Sequence, residues 1–420
     1  MIKAGLRAIS RRSTLAYFPT KILPAIVGII AFPILTRWFT PDIYGRYTFI
    51  LALVALAGNL GGGWLFQSIL RFYKGDPADG EWLPFFRRGI GTGILLFLIW
   101  MIVFSFPNDY SEYRLPAGLF ILLYIPFRAL NTMDRVEQRP FRYSLLDSGL
   151  IGGKFILGIL FIWLTGKQAG LDSIFVGGVI IMLCAVAILY FGKMRQLDRT
   201  LSPPEPITWR RLITYGFPLG LAQVAVWLFS MSDVILLKYL MNDHAVGIYA
   251  TINGVLDKSV RIVPISIMLI AWPALVRIHR NEGMEHALRE QLVQVRIYMA
   301  FMIPLVILVM IFGGWGFRIL VDELYWGGTI LIVPLALAFF FSGLSQYYLN
   351  IFNLAEKSYL VTIGMLAAGS VKILLSLLLI PHFEILGAAW STLIAFASLA
   401  LWAIYMSHRK QGAHLLWRSC

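Results

Sequence analysis

The sequence predicts an all-α integral membrane protein with about 12 transmembrane helices in two six-helix lobes, related by pseudo-twofold symmetry along the membrane normal. Three observations support this fold class. Of 420 residues, 59% are hydrophobic and only 14% are charged, whereas a soluble domain is roughly 45–50% apolar. Apolar runs of about 20 residues, enough to cross a hydrocarbon core as a helix, recur along the whole chain. Features of the first half return in the second half.

The apolar runs define the predicted spans, with ends placed to about three residues. They are too long and too continuously apolar to be barrel strands, in which polar and apolar residues alternate over about 10 residues. They are therefore predicted to be helices, whose backbone N–H and C=O groups are hydrogen-bonded within the segment in lipid. The first run is too long for the apolar part of a signal peptide and is taken as the first span. The spans are 15–37, 44–67, 88–106, 115–133, 144–165, 172–192, 211–237, 247–272, 297–318, 328–350, 359–380 and 386–406.

The placement of basic residues predicts the orientation. With the N-terminus in the cytoplasm, 25 of the 36 Lys and Arg residues are assigned to the inner side and 6 to the outer side. Such an asymmetry follows the positive-inside rule for an even number of spans with both termini cytoplasmic. The net charge of +14 is therefore a topology signal, and no nucleic-acid partner is predicted.

A polar segment between the first two spans has a counterpart two hundred residues later. TRWFTPDIYGRY (Thr36–Tyr47) resembles LKYLMNDHAVGIY (Leu237–Tyr249), and their glycines, Gly45 and Gly247, are 202 residues apart. Internal symmetry at half the chain length is typical of transporters. The plainer alternative is that any interfacial hairpin carries basic and aromatic anchors. Duplication predicts an N-terminal six-helix lobe at 1–194, a cytoplasmic linker at 195–211 and a C-terminal six-helix lobe at 212–420.

Five of the 36 basic residues are assigned to neither side and lie inside the predicted spans, whereas Arg128, near the inner end of span 115–133, is counted with the inner-side charges. A charge at the bilayer centre costs on the order of 2.5–3.5 kcal/mol on insertion scales, so such residues usually face a wet or protein-lined interior. Together they predict a substrate-binding site for an anionic group. They are Lys21, Lys154, Lys258, Arg261 and Lys372.

Each of these assignments has an alternative. Lys21 is near enough to the inner face to anchor at the headgroups. Lys154 lies among glycines that permit close helix packing and has Asp147 two turns away as a possible partner. Arg261 follows Asp257 by four residues, so the two could form an internal ion pair.

Two carboxylates are candidates for ion coupling. Asp233 lies near the outer end of the seventh span, where helix packing is an equal alternative, and Asp257 lies in the eighth span. No metal site or cofactor is predicted.

Enzymatic activity is not predicted. The sequence shows no phosphate-binding loop, zinc-ligand spacing or nucleophile elbow. One loop group is mildly suggestive of catalysis but fits an amphipathic cytoplasmic helix better. Its residues are His279, Glu282, Glu285 and His286.

Three segments resemble one family. ILTRWFTPDIYGRY is similar to a conserved hairpin of Wzx-type polysaccharide biosynthesis flippases, within the multidrug/oligosaccharidyl-lipid/polysaccharide (MOP) exporter superfamily. YGFPLGLAQVAVWLFSMSDVILLKYLMNDHAVGIYATING resembles the family's seventh and eighth helices, including Asp233, and LLIPHFEILGAAWSTLIA resembles its last hairpin. Two residues depart from the family pattern: Glu384 stands where Gly is usual, and Lys372 where Asn or an apolar residue is common.

The resemblance implies two lobes around a central cavity that translocate a polyprenyl-diphosphate-linked oligosaccharide from the cytoplasmic to the periplasmic leaflet by alternating access. It implies a bacterial inner (plasma) membrane protein of lipopolysaccharide O-antigen or exopolysaccharide synthesis, acting on undecaprenyl-diphosphate-linked repeat units. Expected partners are membrane lipids and the polymerase and chain-length machinery of the same pathway. The alternatives are a cation-coupled exporter of small molecules or lipid precursors in the same superfamily, and a membrane glycan polymerase or ligase. The last is disfavoured because the predicted outer loops are short.

Overall fold

The computed structural model describes residues 19–105, 108–166, 170–198, 200 and 208–412. Regular structure within these ranges is helical, which confirms the predicted all-α class. Short 3-10 segments lie at Asn108–Tyr110 and Glu323–Leu331. The α-helices are α1 (Pro19–Trp38), α2 (Pro41–Phe72), α3 (Trp82–Val103), α4 (Ser111–Val136), α5 (Pro140–Leu164), α6 (Ser173–Met194), α7 (Trp209–Leu240), α8 (Asp243–Ser259), α9 (Ile262–Glu282), α10 (Met284–Leu320), α11 (Ile332–Leu354) and α12 (Ser358–Gly412).

Many of these helices are long and apolar enough to cross a membrane. Within the described residues there are nine such helices, or ten if the two parts of α7, Trp209–Leu221 and Val226–Leu240, count as one span bent by 51°. The integral membrane class is therefore confirmed. The count of twelve spans and the pseudo-twofold symmetry stay predictions.

Helix α12 doubles back on itself. Ser376 and Ser391 are joined by a hydrogen bond of 2.7 Å between their hydroxyl oxygens, although a straight helix would separate them by about 22 Å. A Cβ placed on Gly364 would lie 2.4 Å from the Trp402 ring, which also requires antiparallel arms. The arms, 358–383 and 385–412, contain the two predicted spans 359–380 and 386–406.

The reversal of α12 occurs at Glu384. Its φ of 52° and ψ of −134° lie in a region that glycine tolerates and other residues enter only with strain. This geometry gives a physical reason for the glycine that is usual at this position in the flippase pattern that the sequence resembles.

A second break separates α9 from α10. Gly283 has a φ of 87° and ends α9 at Glu282. The sequence-based expectation of one amphipathic helix through this segment is therefore wrong, because the left-handed conformation of Gly283 interrupts the helix. Its two halves are instead the ends of two long helices.

The described chain forms two compact units. The first contains the residues up to Ala31 together with Arg46–Trp227, and the second contains Phe32–Gly45 together with the chain from Leu228 onward. The two six-helix lobes at 1–194 and 212–420 were inferred from the repeat in the sequence, and they stay a prediction. The predicted linker at 195–211 lies partly outside the described residues.

The two repeated polar segments contact each other within the second unit. A Cβ added to Gly45 would lie 1.9 Å from the Asp243 carbonyl oxygen, and one added to Gly247 would lie 1.9 Å from the Pro41 carbonyl oxygen. Asp243 follows Pro41 by the same 202 residues that separate the two glycines. The contact is therefore reciprocal, as at a two-fold axis, and it requires glycine in both copies.

Candidate functional site

Helices α8 and α9 meet at an irregular turn in the middle of the predicted span 247–272. Pro264 has no N–H, and its ring displaces the carbonyl four residues earlier, at Val260, so a continuous helix is interrupted there. The Arg261 N–H instead donates to the Leu256 carbonyl, five residues back, at 3.3 Å. Local bulges of this kind in a helix are frequent at functional sites.

Three charged residues surround this turn. The Lys258 Nζ lies 2.5 Å from Oδ2 of Asp257, and the Arg261 Nη1 lies 3.0 Å from Oδ1 of the same carboxylate. The pair of Asp257 with Arg261 is the i,i+4 contact that the sequence suggested. Because one carboxylate faces two cations, the group carries one net positive charge. We call these three residues the cationic triad.

The cationic triad is only partly buried. The exposed fractions of the side chains are 27% for Asp257, 34% for Lys258 and 41% for Arg261. A guanidinium and an ammonium that are accessible and already oriented by a carboxylate can donate charge-assisted hydrogen bonds to phosphate oxygens. The triad therefore has the chemistry of an anion site.

Lys154 lies in the first unit, on α5. Its Nζ is 5.1 Å from the centroid of the Phe155 ring and 5.9 Å from that of Phe120, so aromatic faces partly replace water around the charge. A Cβ on Gly177 would lie 2.8 Å from the Lys154 carbonyl oxygen, which shows how closely α5 and α6 approach. Lys154 is half-buried, and its substrate-binding role stays a prediction.

The other two predicted cations are placed differently. The backbone of Lys21 lies within α1, but its side chain lies outside the described residues. Lys372 is 2% exposed and forms an ion pair of 2.8 Å with Asp233. The structure thus brings Lys372 together with the predicted coupling carboxylate and does not bring it to the cationic triad. In this conformation the Lys372 ammonium is not accessible to a substrate.

One intramembrane ion pair was missed from the sequence. Arg128 on α4 donates a hydrogen bond to Asp147 on α5, within the first unit. The signal was present, since Arg128 lies inside the predicted span 115–133, but its position near the inner end of that span placed it among the cytoplasmic charges. Asp147, suggested above as a partner for Lys154, is thus bonded to Arg128.

The first unit also contains a buried ionic cluster, where α4, α5 and α6 meet. The Lys193 ammonium donates to Glu137, and the Arg142 Nε lies 2.5 Å from Asp134. The Tyr73 hydroxyl donates to Glu137 at 2.8 Å, and burial together with that carboxylate raises the pKa of Tyr73 well above its ordinary value. Such a network, with each charge paired, positions helices rather than binding a ligand.

Metal binding finds no support in the described part of the chain, where no group of three or more His, Cys, Asp or Glu side chains could hold an ion.

Comparison with families of known sequence supports the resemblance. Residues 150–279 match the model of a family described as polysaccharide biosynthesis protein. The matched range includes Lys154, Asp233 and the whole cationic triad. A search of curated proteins gave no significant match.

Solved structures share the fold over nearly the whole chain. An inward-facing multidrug resistance MATE family transporter of the MOP superfamily aligns with a TM-score of 0.69 and 14% identity, covering 97% of this chain and 99% of that one. The lipid II flippase MurJ, in an inward closed conformation, aligns with a TM-score of 0.68 and 13% identity, covering 94% and 87%. A MOP superfamily transporter from Pyrococcus furiosus, described as having reverse polarity of its binding pocket, gives 0.63 and 13%, covering 96% of each chain.

At these identities the structural matches establish the fold. Together with the family match, they confirm the resemblance to MOP-superfamily flippases that the sequence predicted.

Proposed function

Because the chain has the fold of MOP-superfamily transporters, we propose that it is a flippase for a polyprenyl-diphosphate-linked oligosaccharide. It moves an O-antigen or exopolysaccharide repeat unit, carried on undecaprenyl diphosphate, from the cytoplasmic to the periplasmic leaflet by alternating access. The protein resides in the bacterial inner membrane with both termini in the cytoplasm. Two findings support a lipid-linked saccharide: the family match is to polysaccharide biosynthesis, and one structural neighbour is named a lipid II flippase.

The cationic triad is the observation that carries the proposal. It lies at an irregular turn within an apolar span, it is partly exposed, and it keeps one positive charge after internal pairing. A site of this kind attracts the diphosphate and disfavours a small cation, because a cation would meet like charge in a region of low dielectric constant. We assign Lys258 and Arg261 to the diphosphate, and Asp257 to orienting them.

The remaining predicted ligands are proposed separately. Lys154 and Lys21 belong to the first unit and contribute positive charge for the same anionic substrate. Lys154→Arg should retain most flipping activity in that role, whereas Lys154→Ala should lose it while the protein remains inserted. Equal activity of the two variants at equal abundance would remove Lys154 from the site.

The charge of the substrate also provides a driving force. Moving an anion outward from a cell that is negative inside is favoured by about 2.3 kcal/mol per charge per 100 mV. Asp257 is poorly suited to coupling transport to protons or sodium, because two cations already compensate it. We propose that the membrane potential drives the loaded step.

A reconstituted flipping assay tests the substrate class. Purified protein in liposomes is given a fluorescent polyprenyl-diphosphate oligosaccharide, and appearance in the opposite leaflet is followed by its accessibility to an impermeant quencher. Wild-type protein should flip it, and Arg261→Ala should lower the rate at least tenfold because the substrate loses a charged donor.

A matched control is available on α10. Arg289 also forms an i,i+4 ion pair, with Glu285 at 2.6 Å, but it is 72% exposed. Arg289→Ala should leave the flipping rate unchanged. Extrusion of small organic cations without flipping of the glycan would instead support the cation-coupled exporter and refute the proposal.

A further inference from the structure

Asp233 and Lys372 form a buried charged pair in the second unit. The Lys372 Nζ lies 2.8 Å from Oδ2 of Asp233 and donates to the Phe229 carbonyl oxygen at 2.7 Å. The side chains are 2% and 5% exposed. An ion pair so far from water is costly to form. Apolar residues would be enough for packing, so the two charges point to a role beyond packing.

Further oxygen atoms surround the same carboxylate. Its Oδ2 accepts hydrogen bonds from the Tyr249 hydroxyl at 2.6 Å and the Thr392 hydroxyl at 3.0 Å. Its Oδ1 is buried and has no hydrogen-bond partner among the described residues. Helices α7 and α8 and both arms of α12 therefore converge on one carboxylate.

The two oxygen atoms that contact the Lys372 ammonium are of the kinds that bind a hard cation. A carboxylate oxygen and a backbone carbonyl oxygen contact Nζ directly, and a threonine hydroxyl bonds to the same carboxylate. Carboxylate, carbonyl and hydroxyl oxygens are the usual ligands of hard metal ions. The ammonium thus contacts two oxygen atoms of the kinds that ligate alkali-metal ions, and the unpartnered Oδ1 of Asp233 is a further acceptor on the same carboxylate.

We propose that Lys372 is a tethered cation that fills an alkali-metal-ion site centred on Asp233. Because the cation is covalently attached, it is neither bound from solution nor released. If the proposed flippase function holds, the transport cycle then requires no exchange of sodium or potassium at Asp233.

The proposal predicts that removing the ammonium creates an ion site. Lys372→Ala leaves the carboxylate and the space of the side chain, so the variant should be stabilised by sodium or potassium chloride relative to choline chloride at equal ionic strength. Ligand binding to the native state raises stability by mass action. We expect a saturable rise in melting temperature of at least about 3 °C.

Three matched proteins should show no such rise. Wild type already holds its cation, Lys372→Met fills the space with an apolar chain of similar length, and the double variant Lys372→Ala with Asp233→Asn lacks the carboxylate. The melting temperature is measured on purified full-length protein in detergent, so the result does not depend on transport activity. The proposal would be overturned if the melting temperature of Lys372→Ala did not depend on sodium or potassium. It would also be overturned if the double variant showed the same rise as Lys372→Ala.

A second measurement uses wild-type protein and applies even if Lys372→Ala fails to fold. In liposomes prepared with choline in place of sodium and potassium, the polyprenyl-diphosphate oligosaccharide should be flipped at the rate seen with sodium or potassium. A saturable requirement of the wild type for either ion would overturn the proposal. Absence of flipping in every salt would refute the proposed function, and the melting experiment would still decide the ion site.

Discussion

Changing the net charge of the cationic triad tests whether these residues bind the anionic substrate or couple transport to an ion. Arg261→Ala and Lys258→Ala each lower the net charge of the group from one positive charge to zero. Asp257→Asn raises it to two positive charges while keeping a side chain of the same size. If the triad binds a diphosphate, the first two changes should weaken binding of the anionic lipid and the third should strengthen it.

The size of the effect is set by Coulomb's law for a representative separation between the changed charge and the diphosphate. Two unit charges about 8 Å apart interact by about 2 kcal/mol at an effective dielectric constant of about 20. The triad side chains are 27–41% exposed, so screening by solvent reduces this to about 1 kcal/mol. Each change of one charge should therefore alter the Kd by roughly fivefold.

Equilibrium binding of a short-chain polyprenyl diphosphate to purified protein measures this directly. The matched control is the exposed pair of Glu285 and Arg289 on α10, where Arg289→Ala and Glu285→Gln should leave the Kd unchanged. Raising the salt concentration should shrink the differences between the triad variants. If Asp257→Asn weakened binding as much as Arg261→Ala, the charge argument would be refuted and a coupling role for Asp257 favoured.

Three further predictions concern the fold. Glu384→Gly should raise stability by about 0.5–2 kcal/mol in thermal unfolding, because strain of about 1–3 kcal/mol is relieved at some entropic cost to the unfolded chain. Gly45→Ala should lower stability by about 1–3 kcal/mol in the same assay, since its Cβ would meet the Asp243 carbonyl oxygen at 1.9 Å. Reporter fusions after Gly170 and Phe383 should report the outer side, and a fusion after Asp76 the cytoplasm, as the distribution of basic residues requires.

Controls distinguish these effects from general damage. Glu384→Ala keeps a Cβ at the strained position and should give no gain, and a gain equal to that of glycine would remove the strain argument. Gly91→Ala should be tolerated because a Cβ there meets nothing within 4 Å. Equal losses at Gly91 and Gly45 would contradict the close contact, and an inverted fusion pattern would overturn the topology.

The helices were predictable because their cause is local. An apolar run of the required length forms a helix in lipid whatever its neighbours, and the repeat of Gly45 at Gly247 follows from the sequence alone. The i,i+4 pair of Asp257 and Arg261 was equally accessible, since helix geometry places residues four apart on one face.

The pairings that depend on tertiary structure were not predictable. Lys372 and Asp233 are far apart in the chain, and only the packing of α12 against α7 brings them together. The sequence therefore grouped Lys372 with the substrate cations by depth alone. Arg128 was missed for a related reason, because a charge near the end of a span is assigned to the membrane or to the loop only when the helix end and the partner, Asp147, are known.

Voltage-dependent flipping tests the central claim most directly. Purified protein is reconstituted in liposomes with a potassium diffusion potential and with no proton or sodium gradient, and movement of a polyprenyl-diphosphate oligosaccharide between leaflets is measured at both signs of the potential. A flippase that carries an anionic headgroup past the cationic triad should move the glycan toward the positive side and reverse when the potential is reversed. Flipping that ignores the potential and follows an imposed proton or sodium gradient, or no flipping of the glycan at all, would contradict the account.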